Sequence, residues 1–230
     1  MTPTAEVLAW LDSPPALKAR GSEKLEAGKA RAIYGTSPVD QTIVAYLIGP
    51  LEKNLGRVKE FVNGHNGAHE VADIGSSLGN ASIEDIECTM LDYADFNYQH
   101  TISVQTLLFE VIEEEVTTFL NPDLNRAARW AVLAQSRQYV KGPNCSKWNL
   151  VTQGMFSGVR STDFMNMVLN DAYFLYAQEL VSTNLGLEAV DLFRLHKGDD
   201  VWISNKSRLW AIEIHNCMAQ AGFIFQGSKQ

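Results

Sequence analysis

Segments with helical apolar spacing alternate with short strand-like runs, and the sequence therefore predicts an α+β chain. Its 230 residues are 46% hydrophobic, enough for one substantial core. No linker or low-complexity stretch divides the sequence, so a single unit over 1–230 is expected.

Residues 4–11 read as a short helix that Pro14 and Pro15 stop. The following LKARGSEKLEAGKARAIYG sets Lys18, Arg20, Lys24, Lys29 and Arg31 against Glu23 and Glu26, and its RAIYG reads as a strand end. Ser37 before Pro38 is a helix start, and Val39, Ile43, Tyr46, Leu47 and Leu51 follow at helical spacing. Residues 63–82 are rich in Gly and small polar side chains and read as a loop, which leaves the HxxxH pair His65 and His69 without a helix to share a metal on. IECTMLDY, 86–93, reads as a strand. Helices are expected over about 100–120 and about 123–141, with the acidic EVIEEEV run on the exposed face of the first. KWNLVTQ is strand-like and runs into the turn GMFSG. A long helix over about 158–184, a hairpin at about 191–204, a helix over about 206–221 and a strand-like FIFQ complete the chain. Trp130, Trp148, Trp202 and Trp210 read as packing residues.

The formal net charge is −8, so any contact with nucleic acid requires basic residues to be concentrated locally. Cys88, Cys145 and Cys217 lack zinc or disulfide spacing and point to a reducing compartment. The N-terminal stretch lacks the pattern of a signal peptide, and no apolar run is long enough to span a membrane. A soluble, intracellular chain is expected.

Four stretches carry chemistry. The first is LHKGDD, 195–200. A Gly-Asp turn alone reads as a solvated hairpin tip, but Leu192, Leu195, Val201 and Ile203 flank it as buried strands. Asp199 and Asp200 then lie at the lip of a core, where two ionised carboxylates require compensation by a divalent cation, and hard oxygen ligands favour Mg²⁺ or Mn²⁺. The second is MLDYADFN, which ends another apolar strand in Asp92, with Asp95 in the turn behind it. Asp92 also suits a plain turn or helix cap. Two strands ending in aspartate are the arrangement that a two-metal phosphoryl-transfer site requires. The third is GMFSGVRSTDFMN, 154–166: Gly154 and Gly158 permit a tight loop, Ser157 stands at its apex, and Thr162 and Asn166 share a helix face. This is either a solvated strand-to-helix loop or a reader of ribose hydroxyls. The fourth is the basic run over 18–31, either a solvated face or a funnel for phosphates.

The order basic segment, DYADFN, GMFSGVRSTDFMN, GDD resembles the palm and inner fingers of viral RNA-dependent RNA polymerases, and DYADFNYQHT most resembles the totivirus-like double-stranded RNA viruses. The resemblance covers about residues 17–230. It implies a polymerase palm, an antiparallel sheet backed by helices, over about 83–230 with interleaved fingers helices, and a basic fingers segment over about 17–60. The thumb is absent, so the length implies a core fragment or truncated product. By the same resemblance Asp92 and Asp199 would bind two Mg²⁺ or Mn²⁺ ions, with Asp200 a weaker neighbour. Asn97 would sense the ribose, where many relatives carry Asp. Ser157 and Gly158 would contact template and incoming nucleotide. Thr162 and Asn166 would help choose ribonucleotide over deoxyribonucleotide. Lys29 and Arg31, with Lys18 and Arg20, would lie over the triphosphate, and Lys229 would protonate the pyrophosphate. Lys197 departs from the aromatic or small residue that many relatives place before the glycine. The implied function is template-directed RNA synthesis for a viral genome, with RNA template and product and ribonucleoside triphosphates as partners. A capsid protein or the rest of a longer polymerase chain are further implied partners. The implied location is the host cytoplasm or the inside of virus particles. The alternative is a non-catalytic remnant that binds RNA or a capsid-type partner. A reverse transcriptase is disfavoured, because it has no use for a reader of the 2′-hydroxyl.

Overall fold

The computed structural model describes residues 4–26, 29–62, 67–82, 86–117, 121–189 and 193–227. In chain order the elements are α1 (Thr4–Trp10), β1 (Leu17–Glu26), β2 (Lys29–Gly35), α2 (Pro38–Leu55), α3 (Ala68–Ala81), β3 (Glu87–Leu91), α4 (Phe96–Gln99) and α5 (Ile102–Val111). A π turn over Ile112–Val116 follows, then α6 (Pro122–Gln135), β4 (Gln138–Lys141), β5 (Asn149–Leu150), α7 (Thr162–Leu185), β6 (Phe193–Lys197), β7 (Asp200–Asn205) and α8 (Arg208–Gln220). Helix and sheet are mixed, as the α+β reading expects. The chain forms two compact units, Met1–Leu51 with Asn97–Met165, and Glu52–Phe96 with Asn166–Gln230.

The first unit carries a sheet in the order β2-β1-β4-β5, with β1 parallel to β4 and the other pairs antiparallel. Along β1, buried Leu17 and Ala19 alternate with exposed Lys18 and Arg20, the period of two that a half-buried strand requires. Helix α2 buries Ile43, Val44, Leu47 and Ile48. It starts on a reciprocal cap: the Asp40 N–H donates to Ser37 Oγ (3.1 Å) and the Ser37 N–H donates to Asp40 Oδ2 (3.3 Å). A buried amide chain crosses this unit. Gln138 Nε2 donates to Gln105 Oε1 (2.9 Å) and Gln135 Oε1 (2.8 Å), and Gln105 Nε2 donates to the Gly154 carbonyl (3.0 Å).

The second unit carries an antiparallel sheet in the order β3-β7-β6. Its core gathers Leu91, Phe174, Val201, Ile203, Trp210 and Ile214, all at most 1% exposed. Helix α8 starts at Ser207, whose hydroxyl accepts from the Trp210 N–H.

Four expectations need correction. The stretch read as a loop over 63–82 is helical over Ala68–Ala81, while His65 lies outside the described residues. Gly75 and Gly79 have no left-handed φ, so they cost helix propensity, about 1 kcal/mol each relative to Ala, without breaking the helix. Residues 138–141 leave the expected helix because Gln138–Lys141 pairs in parallel with Leu17–Arg20, a tertiary partner that overrides local preference. Helix α7 begins at Thr162 rather than near 158, because Gly158 is engaged by the end of β2. FIFQ forms no strand; Phe225 makes one bridge, to Tyr93.

Candidate functional site

The acidic end of the second unit follows from sheet register. Strand β3 pairs with β7 from Glu87↔Asn205 to Leu91↔Val201. Asp92 follows Leu91 and Asp200 precedes Val201, so both stand one position past the last rung, at the same end of the sheet. The β6–β7 hairpin closes through Gly198 and Asp199, with Lys197 opposite Asp200. Gly198 has φ +58° and Asp199 is not left-handed, the arrangement of a two-residue turn with glycine first. Asp199, Asp200 and Lys197 are exposed, and Asp92 is half-buried. Asp95 adopts a left-handed φ of +54°, which aspartate tolerates better than most residues.

The Asp92 strand end is held by backbone bonds. The Gln226 N–H donates to the Asp92 carbonyl (2.9 Å), and the Ala94 N–H donates to the Ile224 carbonyl (2.8 Å). Tyr93, 3% exposed, stacks on Phe225 and packs on Phe96. Burial pushes the Tyr93 hydroxyl far above the usual phenol range, and the charges of Tyr173 and Asp199 add to this, so it remains a proton donor. It donates to Asn170 Oδ1 at 3.0 Å. Asn170 Nδ2 in turn donates to the carbonyls of Gly198 (3.3 Å) and Asp199 (3.1 Å). The next residue of α7, Asp171, grips the stem of the same hairpin through Arg194 (3.1 Å) and His196 (3.2 Å).

Neither Tyr93 nor Asn170 was singled out by the sequence. The available signal was spacing: Thr162, Asn166 and Asn170 recur every four residues along α7, and the expectation stopped at the second.

In the first unit the loop 153–158 is stitched at both ends. The Gly154 N–H donates to the His100 carbonyl (2.9 Å) and the Met155 N–H to the Asn97 carbonyl (2.8 Å). Gly154 has φ +91°, a glycine conformation. At the other end the Gly158 N–H donates to the Tyr34 carbonyl (3.0 Å), and Gln41 Nε2 donates to the Gly158 carbonyl (2.6 Å). Ser157 is exposed between these anchors. The Thr162 hydroxyl lies 2.8 Å from both the Phe156 and Val159 carbonyls and donates into the loop, so toward a ligand it can only accept. Asn97 is half-buried, and Asn166, 7% exposed, belongs to the second unit.

The basic run is a hairpin. Arg20 pairs with Gly35, which bridges Gly158, whereas Lys29 pairs with Glu26 and Arg31 with Lys24 toward the other end. The structure thus brings Lys18 and Arg20 to the loop end of the hairpin and leaves the backbone of Lys29 and Arg31 at its tip. Trp148, expected in packing, is 37% exposed, with the Arg20 guanidinium 5.9 Å above its ring. Lys229 lies outside the described residues.

All of this geometry sits within a chain whose residues 1–230 match the family model of viral RNA-directed RNA polymerases. The chain belongs to this family. Its kinship is totivirus-like. It is 28% identical over 229 residues to the probable RNA-directed RNA polymerase of Saccharomyces cerevisiae virus L-A, covering 99% of this chain and 14% of that protein. It is 30% identical over 185 residues to that of Helminthosporium victoriae virus-190S, covering 79% and 20%. The corresponding protein of Saccharomyces cerevisiae virus L-BC is 28% identical over 188 residues, covering 82% and 12%. The chain thus spans a fifth or less of the length of these relatives.

For a polymerase-family chain the question is whether the acidic end suits a divalent cation. Among the described residues no group of three or more His, Cys, Asp or Glu side chains gathers as a ready ligand cluster. Mg²⁺ does not require one, since it is commonly held by one or two carboxylates together with substrate phosphates and water. Asp92 and Asp199 offer hard oxygen donors of the right kind at one sheet end. Among the described residues no helix is long and apolar enough to cross a membrane.

Proposed function

We propose that this chain carries the catalytic core of a template-directed RNA polymerase, with Asp92 and Asp199 holding two Mg²⁺ or Mn²⁺ ions and Asp200 beside them. The observation that supports this most is the register that ends both strands together, with Asp92 and Asp200 one position and Asp199 two positions past Leu91↔Val201. In this reading the second unit is the palm, and the β1–β2 hairpin belongs to the fingers. When bound, the cations would promote ionisation of the attacking 3′-hydroxyl and offset charge on the leaving group.

The chain's own residues bind and orient. A 3′-oxygen forms a bond to the α-phosphorus of the incoming ribonucleotide as the bond to the β-phosphate oxygen breaks. The 3′-hydroxyl loses its proton to solvent water, and Lys229 supplies one to the departing pyrophosphate. Lys18, Arg20, Lys29 and Arg31 attract the triphosphate. Ser157 and Gly158 support template and nucleotide. Thr162, its proton committed to the loop, accepts from the ribose 2′-hydroxyl, and Asn97 and Asn166 complete the choice of ribose.

The test is incorporation of UTP and of dTTP on a primed RNA template by wild type and by folded Asp199→Ala. UTP incorporation that vanishes in the variant, with dTTP rejected, is expected. Incorporation unchanged in folded Asp199→Ala would overturn the assignment. RNA binding without incorporation by the wild type would favour the non-catalytic binding module.

A further inference from the structure

The β3–β7 ladder stops at Leu91↔Val201, one position short of Asp92 and two short of Asp199. Beyond that rung the two acidic positions are joined by a side chain from a third element. Asn170, 0% exposed, donates to the carbonyls of Gly198 and Asp199 and accepts from the hydroxyl of Tyr93, the residue after Asp92. Only a neutral amide satisfies all three bonds without titrating, because the tip carbonyls can only accept and the phenol donates. Leucine has the volume but would remove all three hydrogen bonds, and an ionised aspartate would set acceptor oxygens against two carbonyl oxygens.

We propose that Asn170 and Tyr93 are positioning residues that fix the spacing between the Asp92 and Asp199 carboxylates and thereby set the affinity of the cation site. The inference rests on the polymerase reading of these two aspartates. The mechanical logic is local. Asp199 occupies a two-residue turn whose glycine is left-handed, so its backbone direction is sensitive to what holds the tip. Asp171 fixes the stem of the hairpin at Arg194 and His196, and Asn170 bonds to its tip. On the other side Tyr93 is clamped by Phe96 and Phe225, so the amide is referenced to a rigid ring. Partners that orient metal ligands typically change affinity about 10–100-fold when removed.

The experiment is calorimetric titration of Mn²⁺ alone into the chain, comparing wild type, Asp92→Ala, Asp199→Ala, Asn170→Leu and Tyr93→Phe, with near-ultraviolet circular dichroism confirming the fold of each. Saturable wild-type binding, lost in both aspartate variants, is expected. It should weaken about tenfold or more in Asn170→Leu and by a smaller factor in Tyr93→Phe, whose ring packing is kept. A purely structural role leaves Kd unchanged in any variant that is folded. If both aspartates are required while folded Asn170→Leu and Tyr93→Phe bind Mn²⁺ as wild type does, the positioning role is overturned and the polymerase reading stands. If the wild type binds no Mn²⁺, or binding survives both aspartate changes, the chain by itself holds no cation site for Asn170 and Tyr93 to position and the inference is overturned, while the polymerase reading is decided separately by incorporation of UTP. Should Asn170→Leu not fold, Tyr93→Phe decides, since it removes one hydroxyl.

Discussion

A Cβ built on Gly158 would lie 2.5 Å from the Tyr34 carbonyl oxygen and 3.0 Å from its carbon, both backbone atoms that cannot swing aside. From the sequence Gly158 is expected to permit a tight loop, and the structure adds a close approach of two backbones, with a bridge from Gly158 to Gly35. The facing Gly35 has nothing within 4 Å of its own hypothetical Cβ and no left-handed φ. Two glycines at one bridge therefore respond differently. Gly158→Ala should destabilise by about 1–3 kcal/mol by forcing the loop from the end of β2, and Gly35→Ala should change stability by less than about 0.5 kcal/mol. Urea midpoints of the two variants check this; equal effects would mean that the bridge does not constrain the loop.

Helix α7 holds the β6–β7 hairpin by its tip and its stem, and the stem contact makes that element sensitive to acid. Burial pushes the Asp171 carboxyl up, but the neighbouring His196 ring and Arg194 guanidinium outweigh it, and the net shift is downward from 3.8. A carboxyl lowered in the folded state stabilises fully above its unfolded value and loses that contribution as pH falls through the folded one. Urea midpoints measured from about pH 7 to pH 2 should therefore show Asp171→Asn less stable than wild type at neutral pH, with the gap closing below about pH 4. A gap independent of pH would refute the ion-pair account. Much of this hairpin was legible beforehand: Gly198 marked the turn, and alternating Val201 and Ile203 marked the buried face. Strand β4 was not, because its reason is a parallel partner more than a hundred residues earlier in the chain. The acidic pair was legible as two strand ends, but their common register and the amide joining them depend on how three elements assemble, which local spacing cannot carry.

An acidic protein faces a long-range electrostatic penalty in approaching RNA. With 19 Lys and Arg against 27 Asp and Glu, the chain as a whole repels a polyanion. At physiological salt the Debye length is about 8 Å, so a local basic patch acts free of the distant net charge once contact is made. Lys18 and Arg20 meet that requirement on the first unit, exposed on one face of β1, with the Arg20 guanidinium over the Trp148 ring. If the chain binds single-stranded RNA through them, each phosphate contact contributes about 0.7 to the slope of log affinity against log salt. Replacing both by alanine should lower the magnitude of that slope by about 1.4, read by anisotropy of a labelled single-stranded RNA over a salt series. Arg20→Lys separates charge from the guanidinium contact: it keeps the cation, so the slope should hold, but loses the guanidinium over Trp148, so affinity should fall at every salt concentration. A slope unchanged in the double alanine variant would place the RNA contacts outside this face, and an affinity unchanged in Arg20→Lys would leave the Trp148 contact without a part in binding.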